Sequence, residues 1–189
     1  MITTIQYQQF AAYYEEYFNQ VYRFVLLRSG RNKDLAFDLT SELFLKALEK
    51  FDSFDPTIAE FKSWIFSIAR NHLIDFYRMH REHVDIEAVA HELASPNQLA
   101  HELNVTHDTA MVVYALKKIP VAQQELIQLK FFAELTNSEI AEVLHKTEGN
   151  VRVMLHRAMQ NLRHAIANLF TPHHDQEVTR TKFQGIIAH

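Results

Sequence analysis

Aromatic and aliphatic side chains at Phe10, Tyr13, Tyr14, Tyr17, Phe18, Val21, Tyr22, Phe24 and Val25 recur in steps of three and four. That period predicts an aromatic-rich helix over residues 7–28. Ser29-Gly30-Arg31-Asn32 breaks it. Leu35, Leu39, Leu43, Ala47, Leu48 and Phe51 mark a second helix. Asp52-Ser53-Phe54-Asp55-Pro56 then reads as a loop, because a proline restrains the residue before it and suits a helix start. Phe61, Trp64, Ile65, Ile68, Ala69, Leu73 and Phe76 form a long amphipathic stripe that runs to about His80. Residues 1–82 are thus expected to form one helical bundle.

The pattern changes over residues 83–108. Ser95-Pro96-Asn97 interrupts it, and carboxylates dominate. This stretch reads as an acidic linker with fragments of helix. A second helical unit is expected over residues 109–170, with a helix at 109–118 stopped by Ile119-Pro120 and another at 121–132. Thr136-Asn137-Ser138-Glu139 has the form of a capping box, in which a hydroxyl caps the helix start and the glutamate reaches back. Ile140, Ala141, Val143 and Leu144 make a short helix and His145-Lys146-Thr147 a tight turn. Thr147 then caps a last helix whose apolar side is Val151, Met154 or Leu155, Ala158, Leu162, Ile166 and Leu169. A short helix, a turn and a second helix match the helix-turn-helix of DNA-binding proteins. Ala141 belongs where the two helices nearly touch, and Val151 locks the second onto the first. Residues 171–189 are left as a flexible tail.

Composition narrows the class. Of 189 residues, 48% are hydrophobic, yet there are only 3 Gly and 4 Pro. Tight β-turns need such residues, so the fold class expected is all-α: two small helical domains and a linker. The chain has no cysteine, which excludes disulfides, thiol catalysis and cysteine-ligated zinc. Residues 1–14 lack the basic start of a secretory signal, and no apolar run approaches the ~18 residues of a membrane span. A cytoplasmic protein without membrane insertion is expected.

The formal net charge of −4 argues against bulk coating of nucleic acid, but its distribution argues otherwise. Residues 81–109 carry six carboxylates against Arg81, whereas residues 110–170 carry 7 basic and 5 acidic residues. Residues 149–170 hold Arg152, Arg157 and Arg163 with no acid, and residues 61–81 hold Lys62, Arg70, Arg78 and Arg81 against Asp75. Phosphate contacts respond to charge within a Debye length, ~8 Å at physiological salt. Two basic helices separated by an acidic linker can therefore engage DNA.

Three segments carry a family resemblance. Asp38-Leu39-Thr40-Ser41-Glu42-Leu43-Phe44-Leu45-Lys46-Ala47-Leu48 resembles the D-L-x-Q-E-x-F-L-K-A helix of bacterial RNA polymerase sigma factors. Residues 61–78, with Phe61, Trp64, Ile68-Ala69-Arg70-Asn71, Asp75 and Arg78, resemble the F-x-x-W-L-x-x-I-A-R-N-x-x-x-D-x-x-R segment of their second conserved region. Ile140-Ala141-Glu142-Val143-Leu144, Gly149-Asn150-Val151-Arg152, Leu155-His156-Arg157-Ala158 and Leu162-Arg163 resemble their fourth region. The segments occur in order over about residues 8–170, and the layout resembles the small extracytoplasmic-function branch. Ser41 departs from the usual Gln, Val153-Met154 from the usual Ser-Arg, and His145 stands where Gly is frequent and calls for an unusual backbone angle.

The resemblance implies a promoter-specificity subunit, with core RNA polymerase and promoter DNA as partners and an anti-sigma factor as a further one. Asp38, Leu39, Glu42, Leu43 and Phe44 would dock the polymerase, although the three apolar residues are alternatively core. Phe54, Asp55, Thr57, Trp64, Arg70, Asn71 and Arg78 would meet the minus-ten element, with the 54–60 loop capturing a flipped base. Trp64 is equally readable as core. Asn71 offers both a donor and an acceptor to a base edge. Thr147, Asn150, Arg152, His156 and Arg157 would meet the minus-thirty-five element, since Arg can fork onto guanine and helix N-termini hold phosphates. The acidic linker would suit a positively charged RNA channel.

The 12 histidines include none in a metal-ligating spacing, and no nucleophile–base pair or phosphate loop is present, so neither a cofactor nor an enzyme activity is expected. The alternative of another class is a helix-turn-helix regulator that binds DNA without polymerase.

Overall fold

The computed structural model describes residues 3–30, 32–80 and 107–169, and only the backbone of 107–110. The acidic segment at 83–108, apart from its last two residues, and the tail at 171–189 lie outside the described residues. Every regular element among those described is helical.

The first half is α1 (Thr4–Arg28), α2 (Lys33–Lys50), a 3₁₀ turn (Phe51–Ser53) and α3 (Phe61–His80). Helix α1 begins earlier than its aromatic stripe because Thr3 and Gln6 cap it reciprocally. The Gln6 amide donates to Thr3 Oγ1 at 3.2 Å, and the Thr3 amide donates to Gln6 Oε1 at 2.9 Å. Gly30 at φ +63° turns the chain out of α1. The Asn32 side chain then caps α2 by accepting from the Leu35 amide at 3.0 Å.

The three helices close on Val21, Phe24 and Val25 of α1, Leu39, Leu43 and Phe44 of α2, and Ile65, Phe66 and Leu73 of α3, all buried. Aromatic residues fill the end nearest the 3₁₀ turn. Phe10, Phe51 and Phe61 meet edge to face, and Tyr13 stacks on Phe61 with ring centres 4.0 Å apart. Such pairs add ~0.5–1.5 kcal/mol each beyond the area they bury.

The second half is α4 (His107–Leu116), α5 (Val121–Ile127), a π-helical segment (Gln128–Phe132), α6 (Asn137–Leu144) and α7 (Glu148–Leu169). The sequence predicts one α-helix over 121–132. The structure instead widens its last turn: the Ala133 amide bonds the Gln128 carbonyl at 3.0 Å, and Glu134 takes φ +55°. This wide turn lets Lys130 donate to the Leu135 carbonyl at 3.2 Å and directs the chain into α6. Thr136 and Glu139 form the expected capping box. His145 ends α6 in the left-handed region at φ +52°, the unusual angle that its place in the turn implied. Ala141 and Val151 are buried. Helix α7 packs against α4, α5 and α6, while α6 packs on α3 of the first half.

Candidate nucleic-acid interface

Helix α7 divides cleanly into two sides. Val151, Ala158, Leu162 and Ile166 are buried at helical spacing, whereas Asn150, Arg152, Val153, His156, Arg157, Gln160 and Arg163 are exposed. The Asn150 amide donates to Thr147 Oγ1 at 3.3 Å, so the cap predicted at Thr147 is present. Arg152 pairs with Glu148 one turn back at 3.1 Å, with both side chains largely in solvent. A surface pair of this kind is worth at most ~1 kcal/mol and leaves the guanidinium exchangeable. Helix α7 therefore presents an exposed basic side from its first turn onward.

Helix α3 carries a second set. Trp64, Asn71 and Arg78 are spaced by sevens, so they share one side of the helix. Asn71 and Arg78 are exposed, and Arg78 pairs with Asp75 at 3.0 Å. Trp64 is half-buried against Phe51, Phe54 and Phe61, so it belongs partly to the core and partly to the surface. The preceding loop is built on Asp55, whose Oδ1 accepts from the Thr57 amide at 2.8 Å and from its hydroxyl at 2.6 Å. These two bonds hold the exposed Asp55 carboxyl below the ordinary aspartate range. Ile58 projects from the loop at 80% exposure, beside the half-buried Phe54.

Arg70 points elsewhere. It lies about a quarter turn from Asn71 and donates through Nε to Glu125 Oε1 at 3.1 Å. The same oxygen is 3.3 Å from Arg28 Nη1. Burial pulls the Arg28 guanidinium below its usual range, and Glu125 opposes that fall. Sequence reading did not single out Glu125. Its signal was a lone carboxylate on the buried stripe of α5, flanked by Leu126 and Leu129; a charge at such a position calls for a buried partner.

On α2 the expected docking set is corrected. Leu39, Leu43 and Phe44 are 2%, 0% and 3% exposed and face α1 and α3, so of the two readings given for them they are core side chains. The outward side is Phe37, Asp38, Ser41, Glu42 and Leu45, with Phe37 at 54% and Leu45 at 62% exposed. The apolar members of that side were missed because the stripes facing in and out both contain large apolar residues. Behind it, Lys46 Nζ donates to Nδ1 of the buried His72 at 2.7 Å, and His72 Nε2 lies 3.4 Å from Glu42 Oε2 without the alignment of a hydrogen bond. Burial, then the Lys46 charge, hold the His72 pKa below its usual 6.5, and Glu42 partly offsets them.

Two family models match separate parts of the chain. The sigma-70 region 2 family matches residues 13–83, and the sigma-70 region 4 family matches residues 109–162. The chain is 31% identical over 156 residues to the sigma factor SigM of Bacillus subtilis, an alignment covering 79% of this chain and 90% of that one. The chain belongs to the extracytoplasmic-function sigma factors of the sigma-70 family. BldN of Streptomyces coelicolor, another such factor, is 32% identical over 157 residues, which cover 81% of this chain and 58% of that relative. Among solved structures, CnrH in complex with the cytosolic domain of CnrY aligns over 87% of this chain and 90% of that one, at TM-score 0.64 and 20% identity. RpoE of Bartonella quintana in complex with the anti-sigma factor NepR aligns over 85% and 98%, at TM-score 0.61 and 20% identity. These two share the all-helical fold. As a sigma factor the chain is a promoter-specificity subunit of RNA polymerase. The stand-alone regulator is not favoured, because such a protein has no use for a region 2 bundle. Among the described residues no helix is long and apolar enough to cross a membrane.

Proposed function

We propose that this sigma factor divides its contacts among three exposed surfaces. Phe37, Asp38, Ser41, Glu42 and Leu45 on α2 dock core polymerase: two carboxylates for basic residues and two apolar side chains for burial. Asn71, Arg78 and the outer edge of Trp64 on α3, with Phe54, Asp55 and Thr57 of the loop, meet the minus-ten element. Arg70 joins them once it is free of Glu125. Asn150, Arg152, His156 and Arg157 on α7, with Thr147 holding its first turn, meet the minus-thirty-five element. The protein supplies recognition and no chemistry of its own, and acts in the cytoplasm where transcription occurs. The outward stripe of α2 is also the place where an anti-sigma factor would compete with polymerase.

One observation carries this reading: a single chain offers an exposed acidic–apolar face on α2, an exposed polar face with Asn71 and Arg78 on α3, and an exposed basic face on α7 of the other half. The test is transcription by core polymerase reconstituted with the chain on a promoter library, with gel filtration of the complex. Selective initiation from a promoter subset supports it. Absence of both initiation and a core complex refutes it.

A further inference from the structure

We propose that Glu125 is a built-in anion that holds the free sigma factor closed and withholds Arg70 from promoter DNA. The proposal rests on the reading of α3 as the minus-ten helix and adds a regulation of that site.

Glu125 belongs to the second half, and both of its partners belong to the first. Its Oε1 is 3.3 Å from Arg28 Nη1 on α1 and 3.1 Å from Arg70 Nε on α3, with side-chain exposures of 12% for the acid and 14% and 27% for the two cations. One carboxylate thus serves two guanidiniums in a largely dry seam. Arg28 Nε is buried there without a partner, and its guanidinium otherwise rests over the Phe24 ring. Without the carboxylate, two like charges would face each other with little water to screen them, a costly arrangement. Separation of the halves relieves that cost, because it returns both cations to solvent.

Two further hydrogen bonds cross this seam, beside the apolar core that the two halves share. Lys62 Nζ donates to the Glu134 carbonyl at 2.7 Å, and Ser63 Oγ donates to Glu142 Oε2 at 2.5 Å. Ser63 and Arg70, seven residues apart, share the side of α3 that α6 and α5 cover. Lys62 and Arg70 are two of the basic residues that make α3 suitable for phosphate. The second half therefore occupies cations of α3 with its own oxygens. A promoter phosphate and Glu125 compete for Arg70, so tight DNA binding requires the seam to open.

The chain has no cysteine, so Glu49→Cys and Gln160→Cys, both at exposed positions on opposite halves, accept a donor–acceptor dye pair. Energy transfer and affinity for a non-template-strand oligonucleotide, taken from a promoter selected in the transcription assay, are measured on the full chain with and without Glu125→Gln. The expected result is lower transfer in Glu125→Gln and at least about tenfold tighter oligonucleotide binding, with oligonucleotide lowering transfer in the parent. Unchanged transfer in a folded Glu125→Gln protein overturns the lock. Lower transfer at unchanged affinity overturns the masking. The parent titration needs no substitution at Glu125, so binding without loss of transfer overturns the proposal even where Glu125→Gln fails to fold. If neither protein binds the oligonucleotide, the minus-ten premise fails, and the transfer difference separates that failure from failure of the lock.

Discussion

Two leucines in α2, two residues apart and on opposite sides of the helix, separate folding from docking. Leu43 is fully buried and Leu45 is 62% exposed. Leu43→Ala removes a core side chain and leaves a cavity, at a cost of ~2–5 kcal/mol. For a unit of 60–100 residues each kcal/mol shifts the melting temperature by ~4–8 °C, so a loss of about 8 °C or more is expected for the first half. Leu45→Ala touches little in the free protein and should change stability by no more than ~0.5 kcal/mol. In a polymerase complex the exposed fraction of Leu45 becomes buried. Full burial of a leucine is worth ~1.5–3 kcal/mol, so six-tenths of it leaves ~1–2 kcal/mol, or a 5- to 30-fold loss of affinity. Thermal circular dichroism measures the first effect, and anisotropy of labelled protein titrated with core polymerase at 10 °C measures the second. The reasoning fails if Leu45→Ala lowers the melting temperature as much as Leu43→Ala does. It also fails if Leu45→Ala leaves polymerase affinity intact.

Three further outcomes are expected. Arg152→Ala weakens binding to a minus-thirty-five duplex by about tenfold while core binding and melting temperature persist, since its pair with Glu148 is exposed; an equal loss of core binding in the same titrations would make the residue structural. Thr136→Ala removes the hydroxyl that caps α6 and should cost about 1 kcal/mol by urea unfolding, with an unchanged midpoint refuting the cap's contribution. His72 has a folded-state pKa below 6.5 because of burial and the Lys46 charge, so the unfolded chain takes up that proton first. Stability is therefore flat above this pH, falls as pH drops below about 6.5, and levels off below the folded-state pKa. His72→Gln should flatten that loss between pH 7.5 and 5.5, and an identical acid limb in the variant would discount the histidine.

Helical periodicity placed α2 within two residues of its start and one of its end, and α3 at Phe61–His80, because one-sided burial leaves a 3.6-residue imprint on a sequence. Local chemistry was legible too. The Thr136–Glu139 box and the strained turn at His145 depend on residues within a few positions of one another. Distance in sequence hid the rest. The π-helical turn over Gln128–Phe132 arises from how that segment meets α1 and α6, which no local propensity encodes. On α2, apolar residues line both sides, so the difference between Leu43 in the core and Leu45 at the surface appears only when α1 and α3 cover one of them.

Arg28, Arg70 and Glu125 lie 42 or more residues apart along the chain, so nothing local pairs them even though a carboxylate on the apolar stripe of α5 calls for a partner. The sequence by itself determined an all-helical chain with two basic helices and a capped helix-turn-helix, because these follow from short-range pattern and chemistry. Only the tertiary structure decided which side chains face out, and that one carboxylate joins two arginines across the seam, because burial and pairing depend on what the fold brings alongside.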